Sequence, residues 1–353
     1  MSQKGQRDRT LDFLKGAAIV MVVFFHNMQL NPVSRVDNLF MMVGNTAVPC
    51  FFLVSGALFF SRPFTVKRHV VRMVNLYAAL VCWRALYLLF YHMLYGAAAG
   101  TLRDLLSYLF LFASLDGISS GHLWFIDALL TVLLAAPLFR FCREYDRRLV
   151  YYTLIVLFVF NQLLADGNLL IACLAKSAGR SAWEISAFAE INPFSFRHSN
   201  YMFYYLLGAE LYERRECISA RIPAALCAAG LLGLELIKYI QSGTIRWEGL
   251  HLTSGYYWIS TALFACGVFL AVYHLPLENC APLRWFARTV GMSSLGVFYL
   301  HIPLISLLTP LLFEKMTAYN GWLLNLSESL LITGIAVAVT WLCRKIPLLR
   351  RMF

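Results

Sequence analysis

The chain has 353 residues, of which 60% are hydrophobic and only 14% charged. A soluble domain carries about a quarter charged residues, so this composition excludes an ordinary soluble protein and points to burial in a lipid bilayer. The formal net charge is +11, but the basic residues sit in short clusters between apolar runs. That is the pattern of membrane topology signals and not of a nucleic-acid surface, so no nucleic-acid partner is expected.

Ten apolar segments follow one another: about 11–30, 38–60, 73–95, 122–140, 149–165, 200–213, 222–241, 255–275, 293–313 and 323–343. A span takes about 20 residues. They predict an all-α, polytopic membrane helix bundle of about ten transmembrane helices, forming one domain over 1–353 with no appended soluble domain. With a cytoplasmic N-terminus, the inner connections hold 20 Lys and Arg and the outer ones seven. This bias predicts that both termini are cytoplasmic. No small-residue cleavage site follows the first segment, which is read as a retained helix.

That first segment, LDFLKGAAIVMVVFFHNMQL, holds Lys15 and His26. Eleven positions make about three helical turns, so both side chains share one face, roughly 16 Å apart along the axis. Ionisable groups inside a bilayer are costly and read as functional. The plainer alternatives are a lysine snorkelling to the headgroups and a packing histidine.

The inner connection SRPFTVKRHVVRMVNLY carries Arg68 and Arg72 four residues apart, with Lys67 and His69 beside them. Such a cluster either marks topology or holds phosphate, which guanidinium groups match in geometry. Residues 96–121 contain LRDLLSYLFLFASL, apolar but short, read as an interfacial or re-entrant helix. GHLWFID then places His122 at the outer end of the fourth span, Trp124 beside it and Asp127 deeper. His122 and Trp124 can also be read as an aromatic-belt pair. Residues 166–199 are read as a cap over a site or an amphipathic connector. His301 falls near the middle of the ninth span. Arg84, Glu210, Glu235 and Lys238 are isolated charges in or near spans; Arg84 is expected to neutralise a carboxylate, and Glu235 and Lys238 to pair. The nine cysteines are odd in number and contain no CxxC, so they are read as packing thiols and no metal is expected. Serine-hydrolase, zinc-protease and P-loop signatures are missing, whereas a histidine base acting on a hydroxyl needs none of them.

These stretches resemble the acyltransferase 3 family of bacterial integral membrane O-acyltransferases. LDFLKGAAIVMVVFFH is similar to that family's opening motif of a basic residue, ten residues and His. VPCFFLVSGALFF resembles its second-helix signature ending in Ser-Gly, here Ser55 and Gly56. GHLWFIDALL resembles its His-Leu-Trp-Phe motif, and SLGVFYLHIPLI its late signature, here with Tyr299, Leu300 and His301.

The resemblance implies an enzyme of the bacterial plasma membrane. It would move an acyl group, usually acetyl, from cytoplasmic acyl-CoA to a hydroxyl of an extracytoplasmic glycan or glycolipid. On that reading His26 is the general base, with Lys15 the basic partner of the motif, and His122 or Asp127 orients it. Lys15, Arg68, His69 and Arg72 contact acyl-CoA, while His301 and Trp124 line the substrate site. Two positions depart from the pattern: Lys15 stands where Arg is common, and His69 where an Arg often stands. The competing reading is a multi-span transporter or flippase with histidine proton relays. It would show paired interrupted helices, and the two halves show no such likeness.

Overall fold

The computed structural model describes residues 7–27, 43–179, 198–244, 255–313, 322–347 and 349–352, with no strand among them. The helices are α1 (Arg9–Asn27), α2 (Ala47–Phe60), α3 (Val66–Tyr95), α4 (Leu102–Phe110), α5 (Trp124–Tyr145), α6 (Arg147–Leu157), α7 (Leu164–Ser177) and α8 (Ser199–Arg214). They continue as α9 (Arg221–Thr244), α10 (Ile259–Ala271), α11 (Ala281–Thr289), α12 (Ser294–Leu308) and α13 (Trp322–Cys343).

Each of the ten predicted segments contains a helix. Among the described residues, seven helical stretches are long and apolar enough to cross a bilayer, and Ile259–His274 is a shorter apolar helix. The protein is therefore a polytopic helix bundle. The fifth stretch is longer than its sequence pattern suggested. It runs from Arg147 to Ala175 through a π-helical turn at Phe158–Leu163, so helix replaces the first part of the expected 166–199 connector. Residues 180–197, the rest of that connector, lie outside the described residues. The expected interfacial helix is α4, whose first turn is closed by a capping box between Thr101 and Asp104.

The helices group into two compact units. One contains residues 1–38, 63–134 and 280–353; the other contains 39–62 and 135–279. In the second unit α2 and α8 approach until their backbones touch, at Gly56 and Gly208. Glu210, isolated in the sequence, is ion-paired there with Arg143 at 3.3 Å and Arg147 at 2.5 Å. Of the expected Glu235–Lys238 pair, Glu235 is exposed and the Lys238 side chain lies outside the described residues.

The first unit holds every residue singled out for chemistry. Within it α1 and α12 run parallel: the Asp12 backbone lies against Gly291, just before α12, and the His26 ring lies beside His301. α13 is antiparallel to α1, since the Asn27 amide donates to Asn325 O at 3.3 Å and to Glu328 Oε2 at 2.8 Å, both near the start of α13. α3 is laced to α12 by tyrosines on one face. Tyr87 donates to Tyr299 O at 2.7 Å, Tyr91 shares a 2.8 Å bond with Ser306 Oγ, and Tyr95 donates to Ser306 O at 3.0 Å. Their spacing of four residues is what aligns them.

Arg84 departs from expectation. Its buried guanidinium donates to the carbonyls of Tyr108 and Ala113 and lies 5.1 Å from the Tyr108 ring centroid. Its main work is to satisfy backbone acceptors at the end of α4, with Asp127 acting on it only at longer range. Outside the spans, burial holds the Tyr108 phenol above its ordinary range.

Candidate active site

α1 is an uninterrupted helix from Arg9 to Asn27, so Lys15 and His26 keep the register read from their spacing. Lys15 is not a lone cation. Its Nζ lies 2.6 Å from Asp12 Oδ1, and Asp12 is buried and also gripped by Arg7 through two contacts. The i, i+3 spacing puts Asp12 and Lys15 on one face. Arg344, just past the end of α13, lies close enough that Arg7, after burial, depresses its guanidinium below the usual range. Asp12 thus serves two cations at this end of α1, and with Arg9 and Arg344 beside them the basic residues outnumber Asp8 and Asp12, which suits an anionic ligand.

At the other end of α1, three histidines from separate elements converge. His26 lies in the last turn of α1, His122 in the single 3₁₀ turn Gly121–Leu123 ahead of α5, and His301 in α12. Ring centroids are 5.2 Å apart for His26–His301, 4.9 Å for His122–His301 and 6.2 Å for His26–His122. Phe298 closes one wall, 5.3 Å from His122 and 6.0 Å from His301. His301 is 0% exposed and His122 8% exposed, whereas His26 is only half-buried. His26 is therefore the least buried of the three imidazoles.

The hydrogen bonds assign the protons. His301 Nδ1 faces the carbonyls of Phe298 at 2.7 Å and Val297 at 3.2 Å. A carbonyl only accepts, so Nδ1 carries the hydrogen and the neutral ring keeps a lone pair on Nε2. That Nε2 is buried without a partner among the described residues. The Tyr87 hydroxyl spends its one hydrogen on Tyr299 O at 2.7 Å. It must therefore accept from His122 Nε2, 3.1 Å away, which leaves the lone pair of His122 on Nδ1. The His26 ring makes ring contacts and no hydrogen bond among the described residues. No carboxylate there hydrogen-bonds any of the three imidazoles. No group of three or more His, Cys, Asp or Glu among the described residues has metal-holding geometry.

The other expected site residues are placed as follows. Asp127 is buried in the first turn of α5, on the helix that His122 leads into. Trp124 starts that helix, half-buried, 6.5 Å from the Phe125 ring. Arg68 and Arg72 are exposed on α3, one turn apart. The C-terminal turn Leu349–Met352 packs on the same helix, bringing Arg350 to it. His69 differs from its neighbours. It is buried, its Nε2 donates to Leu133 O at 2.9 Å, and its ring lies 5.5 Å from Phe64. It ties α3 to α5, and its one free-standing donor is used.

The chain matches the acyltransferase 3 family, described as an acyltransferase domain, over residues 8–345. It belongs to this family. Comparison with curated proteins finds no match, and neither does comparison with solved structures. The protein is thus a multi-pass membrane acyltransferase.

Sequence reading of this acyltransferase missed three groups. Asp12 had a visible signal, a carboxylate three residues before a lysine. Glu328 had one too, a lone acid inside an apolar run. It is 1% exposed, accepts from Asn27 and takes a 2.5 Å bond from the Thr309 hydroxyl. Tyr87 had none, because its role exists only through two other helical elements, the 3₁₀ turn of His122 and α12.

The Asp12–Lys15 pair gives a direct expectation. Lys15→Arg retains most acyl transfer, because the charge and its carboxylate partner survive. Lys15→Ala loses at least about tenfold. The rate of CoA release in membranes at matched protein level measures both, and equal losses would contradict a charge-based role.

Proposed function

We propose that this acyltransferase is an O-acetyltransferase of the bacterial plasma membrane. It carries an acetyl group from cytoplasmic acetyl-CoA to a hydroxyl of an extracytoplasmic glycan or glycolipid, with both termini on the cytoplasmic side. The observation that carries this reading is the histidine cluster at one end of α1, with the half-open His26 ring making no hydrogen bond among the described residues, and a cationic cluster at the other end.

The cationic end suits the donor. Arg68 and Arg72, exposed one turn apart, offer guanidinium forks to the nucleotide phosphates, and Arg350 adds to them. Lys15 lies on the path from that end to His26, about 16 Å short of it along the helix, a distance a pantetheine arm spans. His69 drops out of the phosphate set because its donor is held by Leu133 O.

His26 acts on the recipient. A neutral imidazole takes the hydroxyl proton as the oxygen attacks the thioester carbonyl. The new C–O ester bond forms, the C–S bond breaks, and the proton on His26 passes to the departing thiolate to give CoA–SH. A neutral imidazole suits the task because one ring nitrogen can take the proton and then give it up. The outer-facing Trp124 lines the approach of the sugar, and Asp127 holds the start of α5 so that His122 stays in register.

Two experiments test the reading. Mass spectrometry of envelope glycans from cells with and without the protein should show an acetyl ester present only with it. Arg68→Ala and Arg72→Ala should raise the KM for acetyl-CoA by about tenfold each with little change in kcat, since phosphate contacts bind ground and transition states alike. A kcat loss without a KM change would remove these residues from donor binding, and unchanged glycans would remove the acceptor class.

A further inference from the structure

The three imidazoles pose a hydrogen-bonding problem with one solution. His122 and His301 each spend their N–H outside the cluster, on the Tyr87 hydroxyl and on backbone carbonyls. His301 is left with a bare, buried lone pair on Nε2, and the remaining lone pair of His122 cannot bond it. Of the three imidazoles, His26 is the one whose N–H is not spent on a partner outside the cluster among the described residues.

Of the two acceptors His301 is the better placed. Its ring is 5.2 Å from that of His26, against 6.2 Å for His122. A separation of 5.2 Å between five-membered rings leaves about a hydrogen-bond length between facing edges. Its Nε2 is fully buried and unpartnered, which costs about 1–3 kcal/mol for a polar group until a donor arrives. Its other nitrogen is pinned by two carbonyls of its own helix, so the ring is held as a fixed acceptor. His26 makes no hydrogen bond among the described residues, so none of them fixes which of its ring nitrogens faces His301.

We propose that His301 is the positioning residue of the base: its Nε2 accepts the N–H of His26, so the lone pair of the other His26 nitrogen faces the incoming hydroxyl. This rests on His26 being the base. The arrangement does with an imidazole what a carboxylate does in a hydrolase triad, which is to select a tautomer and hold the ring. As His26 takes the proton, the N–H it already shares with His301 becomes a charge-assisted bond and strengthens in the transition state. Ionisable groups on the surrounding elements include Tyr87 on α3, Tyr299 on α12, Glu328 on α13 and Asp127 on α5. None of them hydrogen-bonds the His26 ring.

The test compares two replacements of similar bulk. Glutamine places an amide oxygen close to the imidazole Nε2 and an amide N–H beside it; leucine offers neither. His301→Leu should lower kcat at least about 100-fold, the cost of a misplaced catalytic group, with KM for acetyl-CoA within about twofold of the parent. His301→Gln should recover at least about tenfold of that loss. Protein level and monodispersity in detergent are measured for both, and His26→Ala is assayed beside them. Equal kcat for the glutamine and leucine variants, both well folded, overturns the positioning role while leaving His26 intact as base. A leucine variant that raises KM alone overturns it too and returns His301 to substrate lining. An active His26→Ala protein instead removes the base assignment and this inference with it.

Discussion

Replacing His26 by alanine is expected to lower acyl transfer by at least about 1,000-fold, near the upper range for a general base, while the protein still inserts and purifies normally. The two halves of that expectation have separate grounds. Activity falls because His26 is the half-open member of the cluster, and the two buried imidazoles have committed their hydrogens elsewhere. Neither can turn to take over. Stability holds because the His26 ring is only half-buried and its removal leaves at most one acceptor, the His301 Nε2, without a donor, a cost of about 1–3 kcal/mol. CoA release in membranes, with acceptor supplied, reads the first half. Fluorescence-detected size exclusion reads the second. Retained activity would dismiss His26 as base, and an aggregated protein would show that its ring packing matters more than its contacts suggest.

The second large effect is structural and lies in the other unit. A β-carbon built on Gly56 would stand 1.7 Å from the carbonyl oxygen of Tyr205, and one on Gly208 would stand 2.1 Å from that of Leu53. Both obstacles are backbone, so no rotamer change relieves them. α2 and α8 are locked face to face by two glycines, the small-residue contact that lets membrane helices pack in the absence of a hydrophobic drive. Phe52 stacked on Tyr201 at 4.6 Å fills the same interface. Gly56→Val therefore has to separate the helices, at a cost above the ordinary 1–3 kcal/mol or so of an overpacked core. The expected result is a fall of at least about 5 °C in the melting temperature of the detergent-solubilised protein, or loss of the folded species. Gly334→Ala in α13, where a β-carbon meets nothing within 4 Å, is the matched control and should be neutral or mildly stabilising. A Gly56→Val protein as stable as the control would mean that this helix contact is looser than its geometry.

That glycine also gives a physical meaning to a sequence signature. Ser55-Gly56 carried part of the family resemblance, yet the chemistry of acyl transfer asks nothing of a glycine there. What the position needs is no side chain at all, so that one helix backbone can rest on another.

Other residues were legible to different depths. The Lys15–His26 register needed only the periodicity of a helix, and α1 keeps it without a break. On position alone, the reading of His122 as an interfacial ring beside Trp124 had slightly the better claim. Its partners, Tyr87 on α3 and His301 on α12, are 35 and 179 residues away along the chain, beyond any local pattern. His69 looked like part of a phosphate-binding run and is a strut between α3 and α5, because one turn of a helix with four polar neighbours does not say which of them faces inward. Asp12 and Glu328 were readable by the rule that flagged Lys15, namely that an ionisable group in an apolar run is there for a reason.

Sequence alone determined that this chain lives in a bilayer, that it is built of apolar helices, and which family its motifs resemble, since composition and helical period act within about 20 residues. Only the tertiary structure decided which imidazole is least buried, where His122 and His301 keep their protons and what Lys15 is paired with. Those properties depend on the partner that each nitrogen or oxygen finds on another helix, and a hydrogen bond reaches only about 3 Å, so nothing in the order of the residues expresses it.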